Sequence, residues 1–331
     1  MKKTVILLMG FMAVATCFAA CSSDDNEVTT PPESIENEET ADSILAGTEL
    51  LVDSAEVWSE RDGNKIFGVM YYNSASSKKQ PAVILSHSSS LTHEAMSGYA
   101  KEIAKMGYAA YCFDFCGGSS KSKSDGKTDE MTVFTEVEDL RAVAKTVKAQ
   151  QYVDPSRVVL LGSSQGGLVS ALLADECRDD FAGMILFYPA FNIPELVKMF
   201  SSFGNLGDFG NLGDFGNFGD FGNFGDFGDF GGMTSMGEAF VSSIKDFDVW
   251  SHIGKFDKPV SIIHGTQDII VPISNSEKAA LLYPSATLYK IEGANHGFNA
   301  ANLGSMGSMM GSSADYDSVV MPIVEDFLVR F

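Results

Sequence analysis

Positive charge is what this sequence has least of. Against 44 Asp and Glu it carries 23 Lys and Arg, a formal charge of −21. Nucleic acid is therefore excluded as a natural partner, and an anionic membrane surface would repel the folded body. The same acidity has a plainer consequence, since excess carboxylates keep a secreted protein soluble. Cysteine is scarce, with five in 331 residues, and no Cys and His stand at a metal-ligand spacing, so no metal is expected. Cys112 and Cys116 fall in an expected strand, where four residues span ~13 Å, too far for a disulfide without a sharp bend. With Cys177 they read as free, small core residues. The N-terminal apolar run, Val5 to Met12, is too short to span a bilayer as a permanent helix. What remains is ordinary: 45% hydrophobic and 20% charged residues can bury a real core, and the length suits one large α/β domain or two small ones.

The first twenty residues follow the order of a secretory signal. Lys2 and Lys3 precede the apolar run, and the small residues Ala15, Ala19 and Ala20 follow it. Phe18-Ala19-Ala20-Cys21 then resembles the lipobox of bacterial lipoproteins, which implies lipidation of Cys21 and anchoring in the cell envelope. The lipobox position three before the cysteine is more often Leu than Phe, and plain secretion with cleavage near Ala20 is the alternative. The acidic Ser22-Ser23-Asp24-Asp25 resembles the surface-export tags of some Gram-negative lipoproteins, which implies an outer-membrane, surface-exposed location. Residues 21–47 are polar, acidic and Pro-containing, the composition of a disordered tether.

From 48 to 331 the pattern is that of a single α/β domain. Leu50 to Ser59 and Lys65 to Tyr72 flank Asp62-Gly63, a good turn pair for a hairpin. Expected strands then follow at Pro81–Ser86, Ala109–Phe115, Arg157–Leu161, Gly183–Tyr188, Val260–His264 and Ala286–Ile291. Expected helices lie at Thr92–Met106, Val133–Lys148, Gly166–Asp175, Ser274–Leu282 and from about Ser318 to Phe331. Short apolar runs alternating with amphipathic helices argue for a mostly parallel sheet covered on both faces.

One segment, 203–232, breaks this alternation. Every third residue from Gly204 to Gly231 is glycine, mostly in the hexamer Gly-Asn-Leu/Phe-Gly-Asp-Phe. Collagen shares the period but needs imino acids, and none occur here. So much glycine carries a large ordering entropy. Two readings stay open: an inert slippage insert, or a cover in which Phe209, Phe215, Phe221 and Phe227 pack over an acyl pocket. The aspartates lack the nonapeptide spacing of known calcium-binding repeats. A second biased stretch runs from Gly304 to Ser313.

Gly162-Ser163-Ser164-Gln165-Gly166 is the only G-x-S-x-G in the chain. The motif is weak alone, but the apolar Val158-Val-Leu-Leu161 runs into it and a helix of small and apolar residues leaves it. On so sharp a strand-to-helix turn the serine is lifted out of the sheet, small neighbours are required, and the N–H of Gln165 can face a developing oxyanion. A serine hydroxyl needs a base, and the base a group to hold its tautomer. Asp268, beyond the expected strand Val260–His264, and His296, beyond Ala286–Ile291, supply both in the order this turn demands. They stand where catalytic groups gather, at the carboxyl ends of strands. His252 and His264 fit worse, His264 reading as a packed or hydrogen-bonded residue at a strand end.

Six motifs carry a resemblance: Ile84-Leu-Ser-His87, Phe113-Asp-Phe115, Asp125-Gly126-Lys127 with Asp129-Glu-Met-Thr132, Ser164-Gln-Gly-Gly167, His264-Gly-Thr-Gln-Asp268 and Glu292-Gly-Ala-Asn-His296. From about Val52 to Phe331 the chain resembles the α/β-hydrolase superfamily, and within it the cinnamoyl/feruloyl esterase group, to which Asp125–Thr132 is the most specific pointer. The resemblance implies the α/β-hydrolase fold, with the Gly/Phe/Asp insert in the cap region, and a serine hydrolase of short aliphatic or hydroxycinnamoyl esters that calls for no organic cofactor. It places the second oxyanion donor at Ser89. The family usually has His-Gly there, whereas this chain has His87-Ser88, so the tight backbone is in question. A serine peptidase of the same fold and a non-catalytic surface-binding protein are the competing readings.

Overall fold

The computed structural model describes residues 51–202, 237–298 and 315–331. The expected signal, Cys21, the tether, the glycine repeat and the stretch 304–313 lie outside the described residues.

Strands β1 (Val52–Arg61) and β2 (Asn64–Asn73) form an antiparallel hairpin. Asp62 and Gly63 between them take φ of 50° and 85°, the left-handed pair whose twist matches that of the strands. The chain continues through β3 (Gln80–Ser86), α1 (Glu94–Lys105), β4 (Ala109–Phe113), α2 (Val133–Lys148), β5 (Val153–Ser163), α3 (Gln165–Glu176) and β6 (Gly183–Phe187). There follow α4 (Ile193–Ser202), α5 (Glu238–Ile244), α6 (Val249–His252), β7 (Val260–Gly265), α7 (Ser274–Leu282), β8 (Ala286–Ile291) and α8 (Asp317–Leu328). The strands form one sheet in the order β1-β2-β4-β3-β5-β6-β7-β8. Pairing is antiparallel from β1 to β4 and parallel from there to β8, so the carboxyl ends of β3 to β8 share one edge.

Apolar side chains divide between the two faces. Ile84, Tyr111, Leu160 and Leu186 meet α2 and α3, while Leu85, Cys112, Leu161 and Phe187 meet α1 and α8. Helix α2 starts on a reciprocal cap: Thr132 Oγ1 accepts from the Thr135 N–H at 3.0 Å, and Thr135 Oγ1 accepts from the Thr132 N–H at 2.9 Å. Its buried stripe, Val133, Val137, Leu140, Val143 and Val147, keeps helical spacing and also contains Glu136 and Asp139. Helix α3 is buried along its length from Gln165 to Asp175, which only a helix of small and apolar residues tolerates.

Two expectations need correction. The fourth strand ends at Phe113 rather than Phe115, because Asp114 leaves the ladder to accept hydrogen bonds from the N–H groups of His93 and Lys123; Cys116 is therefore outside a strand. Cys112, Cys116 and Cys177 are free, but Cys177 is only half-buried, at the end of α3 beside Arg141. Between β6 and β7 the structure adds helices for which the sequence pattern gave no expectation. Helices α4, α5 and α6 occupy the described ends of this segment, and Phe240, Ile244 and Val249 join the core.

Candidate active site

Strand β5 ends at Ser163 and α3 begins at Gln165, leaving Ser164 alone to make the turn. It does so at φ 51°, ψ −117°, a conformation costly for any residue with a Cβ. The surroundings enforce it. Ser164 N–H donates to the Phe187 carbonyl at 2.9 Å, and its own carbonyl accepts from the Ala190 and Gly167 N–H groups at 2.9 and 3.0 Å. A Cβ on Gly166 would stand 2.5 Å from the carbonyl oxygens of Ser86 and His87. The exit of β3 thus packs directly on the first turn of α3.

Ser164, Asp268 and His296, which the sequence scatters over three loops, meet at this turn. His296 Nε2 lies 3.0 Å from Ser164 Oγ, and its Nδ1 lies 2.7 Å from Asp268 Oδ2. A carboxylate beside Nδ1 places the ring hydrogen there and leaves Nε2 free to accept from the serine hydroxyl. Asp268 Oδ1 accepts from the N–H groups of Ile270 and Val271, each at 2.9 Å. Burial raises the Asp268 carboxyl, but its electrostatic attraction to His296 and hydrogen bonds from His264 and His296 outweigh it and hold the group well below the usual carboxylate range.

His264 has a closer part in this than its sequence position indicated. Its ring is fully buried. Nε2 lies 3.1 Å from Asp268 Oδ2 and 2.9 Å from the Val271 carbonyl, and Nδ1 lies 2.6 Å from Ser276 Oγ. Two acceptors on one side require the hydrogen on Nε2, so Ser276 donates to Nδ1. The i, i+4 spacing of His264 and Asp268 across a strand end was the available signal. His252 is exposed on α6 and bonds its own turn at the Asp248 carbonyl.

On the other side of the serine, the loop leaving β3 is held by His87. Its Nδ1–H donates to the Ser88 carbonyl at 2.8 Å, and its Nε2 accepts from the Phe115 N–H at 3.3 Å. The ring is neutral in that arrangement, and burial lowers its pKa accordingly. The absence of glycine at 88 is resolved by the backbone. Ser90, not Ser88, takes the positive φ, 60°, and Ser88 Oγ reaches Ser163 Oγ at 3.0 Å. Among the described residues the N–H groups of Ser89 and Gln165 donate to no protein acceptor. Tyr188 packs its ring on His296 with centroids 4.5 Å apart, and Phe298 packs on Tyr188.

One partner of the site was missed from sequence. Gln165 Nε2 donates to Glu136 Oε2 of α2 at 2.7 Å, with both residues buried. Burial pushes the Glu136 carboxyl up to about 8; the bond from Gln165 lowers it and the neighbouring Asp139 raises it. An acid within the apolar stripe of α2 was the legible sign. Among the described residues no group of three or more His, Cys, Asp or Glu could hold a metal ion, and no helix is long and apolar enough to cross a membrane.

Comparison with known proteins bears on this arrangement. Residues 77–207 match the family model described as serine aminopeptidase, S33. The esterase Est1E of Butyrivibrio proteoclasticus with ferulic acid bound is 25% identical, with a TM-score of 0.58 over 77% of this chain and 97% of that one. A second Est1E structure gives 20% identity and a TM-score of 0.61 over 83% and 98%. The Pyrococcus furiosus esterase Pf2001 gives 20% and 0.56 over 91% and 99%. A sequence comparison with curated proteins finds no match.

Proposed function

From the α/β-hydrolase fold of the chain we propose that it is a serine hydrolase cleaving carboxylic esters through an acyl-enzyme. The observation that carries this reading is the hydrogen-bonded series Ser164–His296–Asp268 on the strained turn between β5 and α3. His296 Nε2 takes the hydroxyl proton as Ser164 Oγ bonds to the ester carbonyl carbon. The carbonyl oxygen becomes an oxyanion, to which the N–H groups of Gln165 and Ser89 donate. The intermediate collapses by breaking the bond to the alcohol oxygen, which takes the proton from His296. Water, deprotonated by the same nitrogen, then attacks the acyl-serine, releases the acid and restores Ser164. Asp268 stays ionised throughout and stabilises the transient imidazolium.

The likeness to a ferulic acid-binding esterase, with the motif Asp125–Thr132, supports short aliphatic or hydroxycinnamoyl esters over long triglycerides. The resemblance of Phe18–Cys21 to a lipobox supports a location in the cell envelope, on a lipid anchor at Cys21. The match to a serine aminopeptidase model favours one alternative, amide cleavage by the same machinery, since amides and esters pass through similar tetrahedral intermediates.

Ser164→Ala and His296→Ala should each lower turnover of a p-nitrophenyl ester by on the order of 10⁴ or more, and Asp268→Asn somewhat less. A fluorophosphonate probe should label the parent at Ser164; labelling that persists in Ser164→Ala overturns the assignment. Faster cleavage of an aminoacyl anilide than of any ester tried would replace the esterase reading with the peptidase one.

A further inference from the structure

The face of α2 that packs inward carries two buried carboxylates, and they meet different partners. Asp139 has a cation: Arg61 Nε of β1 donates to its Oδ1 at 2.5 Å, and the Cys116 N–H donates to its Oδ2 at 2.9 Å. Glu136, less than a turn earlier, pairs with no cation among the described residues. Its Oε2 accepts from Gln165 Nε2 at 2.7 Å, while Gln165 Oε1 is buried with no partner among the described residues. Glu136 is therefore the main hold on a side chain that cannot turn to water. Gln165 follows Ser164 directly and opens α3, and its N–H is one of the two donors in the mechanism above.

We propose that Glu136 is a positioning residue for the hydrolysis: its hydrogen bond pins the Gln165 side chain and so fixes the Gln165 backbone N–H toward the oxyanion. The inference rests on Ser164 being the nucleophile. It adds a residue that never touches substrate.

Apart from the Gln165 bond, which lowers the Glu136 carboxyl, the groups around it disfavour its charge or leave it alone. Asp139 on its own helix adds a negative neighbour. Arg61 of β1 is already bound by Asp139, and Glu60 and Lys65 of the hairpin are exposed. Cys116, after β4, has a thiol that burial and the Asp139 charge push up to about 12, so it stays neutral. Helix α3 offers only the neutral Gln165, and the charges of α5, Glu238 and its neighbour Lys245, face solvent. Burial, the largest influence, keeps the Glu136 carboxyl protonated up to about pH 8. Above that pH an uncompensated buried charge would appear against Gln165, and an unpaired buried charge is relieved by local rearrangement. Turnover should then fall as pH rises through about 8.

The test is kcat and KM for methyl cinnamate, followed from pH 6 to 10. The parent should lose kcat about tenfold per pH unit above the transition, as one essential ionisation dictates. Glu136→Gln, always neutral and still able to bond Gln165, should remove that alkaline limb. Glu136→Leu should lower kcat roughly tenfold or more at every pH with KM little changed, the split expected when only transition-state stabilisation is lost. Gln165→Met keeps the backbone N–H but loses the pin at every pH, so its kcat should be lowered as in Glu136→Leu and the alkaline limb should disappear. The proposal is overturned if Glu136→Gln keeps the parent's alkaline limb, or if Glu136→Leu keeps the parent's kcat. Should the Glu136 variants fail to fold, a parent with no alkaline limb, or a Gln165→Met limb that stays in place, overturns it equally. A parent that takes no fluorophosphonate label at Ser164 fails the hydrolase reading instead.

Discussion

At Gly162 a Cβ would stand 2.2 Å from the Gly166 carbonyl oxygen and 2.5 Å from Ser170 Oγ, whereas at Gly63 it would meet nothing within 4 Å. The two glycines serve different needs. Gly63 supplies a left-handed φ of 85°, so Gly63→Ala should cost about 1 kcal/mol of strain. Gly162→Ala must displace the backbone of α3 under the nucleophile, so it should cost about 3 kcal/mol and depress turnover as well. Urea midpoints compared with ester kinetics separate the two; equal losses would show that crowding at 162 is relieved locally. His264 belongs to the same scale. His264→Ala leaves Asp268 Oδ2 with one donor fewer and Ser276 Oγ without its acceptor. Its kcat should fall roughly tenfold to a hundredfold while fluorophosphonate still reaches Ser164, the outcome of a disturbed general base. Unchanged kcat would reduce His264 to a packing residue.

Helix α2 sets the terms at the scale of elements. Its N-terminal cap is two threonines bonded reciprocally, so Thr132→Ala should cost about 1 kcal/mol, read from thermal unfolding. Deeper in the same helix, Glu136 makes stability depend on pH. Its folded carboxyl titrates near 8 against an ordinary value of 4.5. The folded state therefore holds a proton that the unfolded chain releases, and stability falls as pH rises from about 4.5 to about 8. The full difference is on the order of 5 kcal/mol. Glu136→Gln should remove that slope and be the more stable protein at pH 9. Asp268 works in the opposite sense: its carboxyl is held low, so its contribution is present above the ordinary carboxylate range and disappears as the solution is acidified through the lowered value. A parent whose urea midpoint is flat from pH 5 to 9 would contradict the burial of a neutral Glu136.

At the scale of the molecule, the sheet separates scaffold from chemistry. All six parallel strands deliver their carboxyl ends to one edge, and Ser164, Asp268 and His296 stand just past the ends of β5, β7 and β8. The chain as a whole carries a formal charge of −21. A chain so acidic gains nothing from an anionic bilayer, so the proposed retention at a membrane rests on the proposed lipid at Cys21. Cys21→Ser should leave the protein soluble or unprocessed, and mass spectrometry of a mature N-terminus that is unmodified at Ser22 or beyond would dispose of the anchor. Added salt should not release the parent, because acyl-chain insertion is not screened as charge attraction is.

What the sequence determined by itself is whatever rests on local rules. Asp62-Gly63 dictates its hairpin because left-handed residues fit few places. The apolar spacing of Val133 to Lys148 sets α2 to its ends, and Gly162 to Gly167 announces a turn that only small residues survive. Strand order along the chain then made Asp268 and His296 the natural companions of Ser164, since each follows a buried strand whose end direction is known. Tertiary structure decided the rest. Glu136 and Gln165 stand 29 residues apart, and no period or motif says that one buried acid of α2 will find the side chain opening α3. His264 meets Asp268 and Ser276 only because the loop after β7 folds back over its own strand. Ser88 serves where the resemblance implied a glycine because the left-handed φ of this loop falls at Ser90. Helices α4 to α6 were hidden for a related reason: they are short or flank a repeat, and their burial comes from the core they cover rather than from a period of their own. Periodicity records which face of an element is buried, but the pairing of two buried polar groups is settled only when the elements dock and each must satisfy the other.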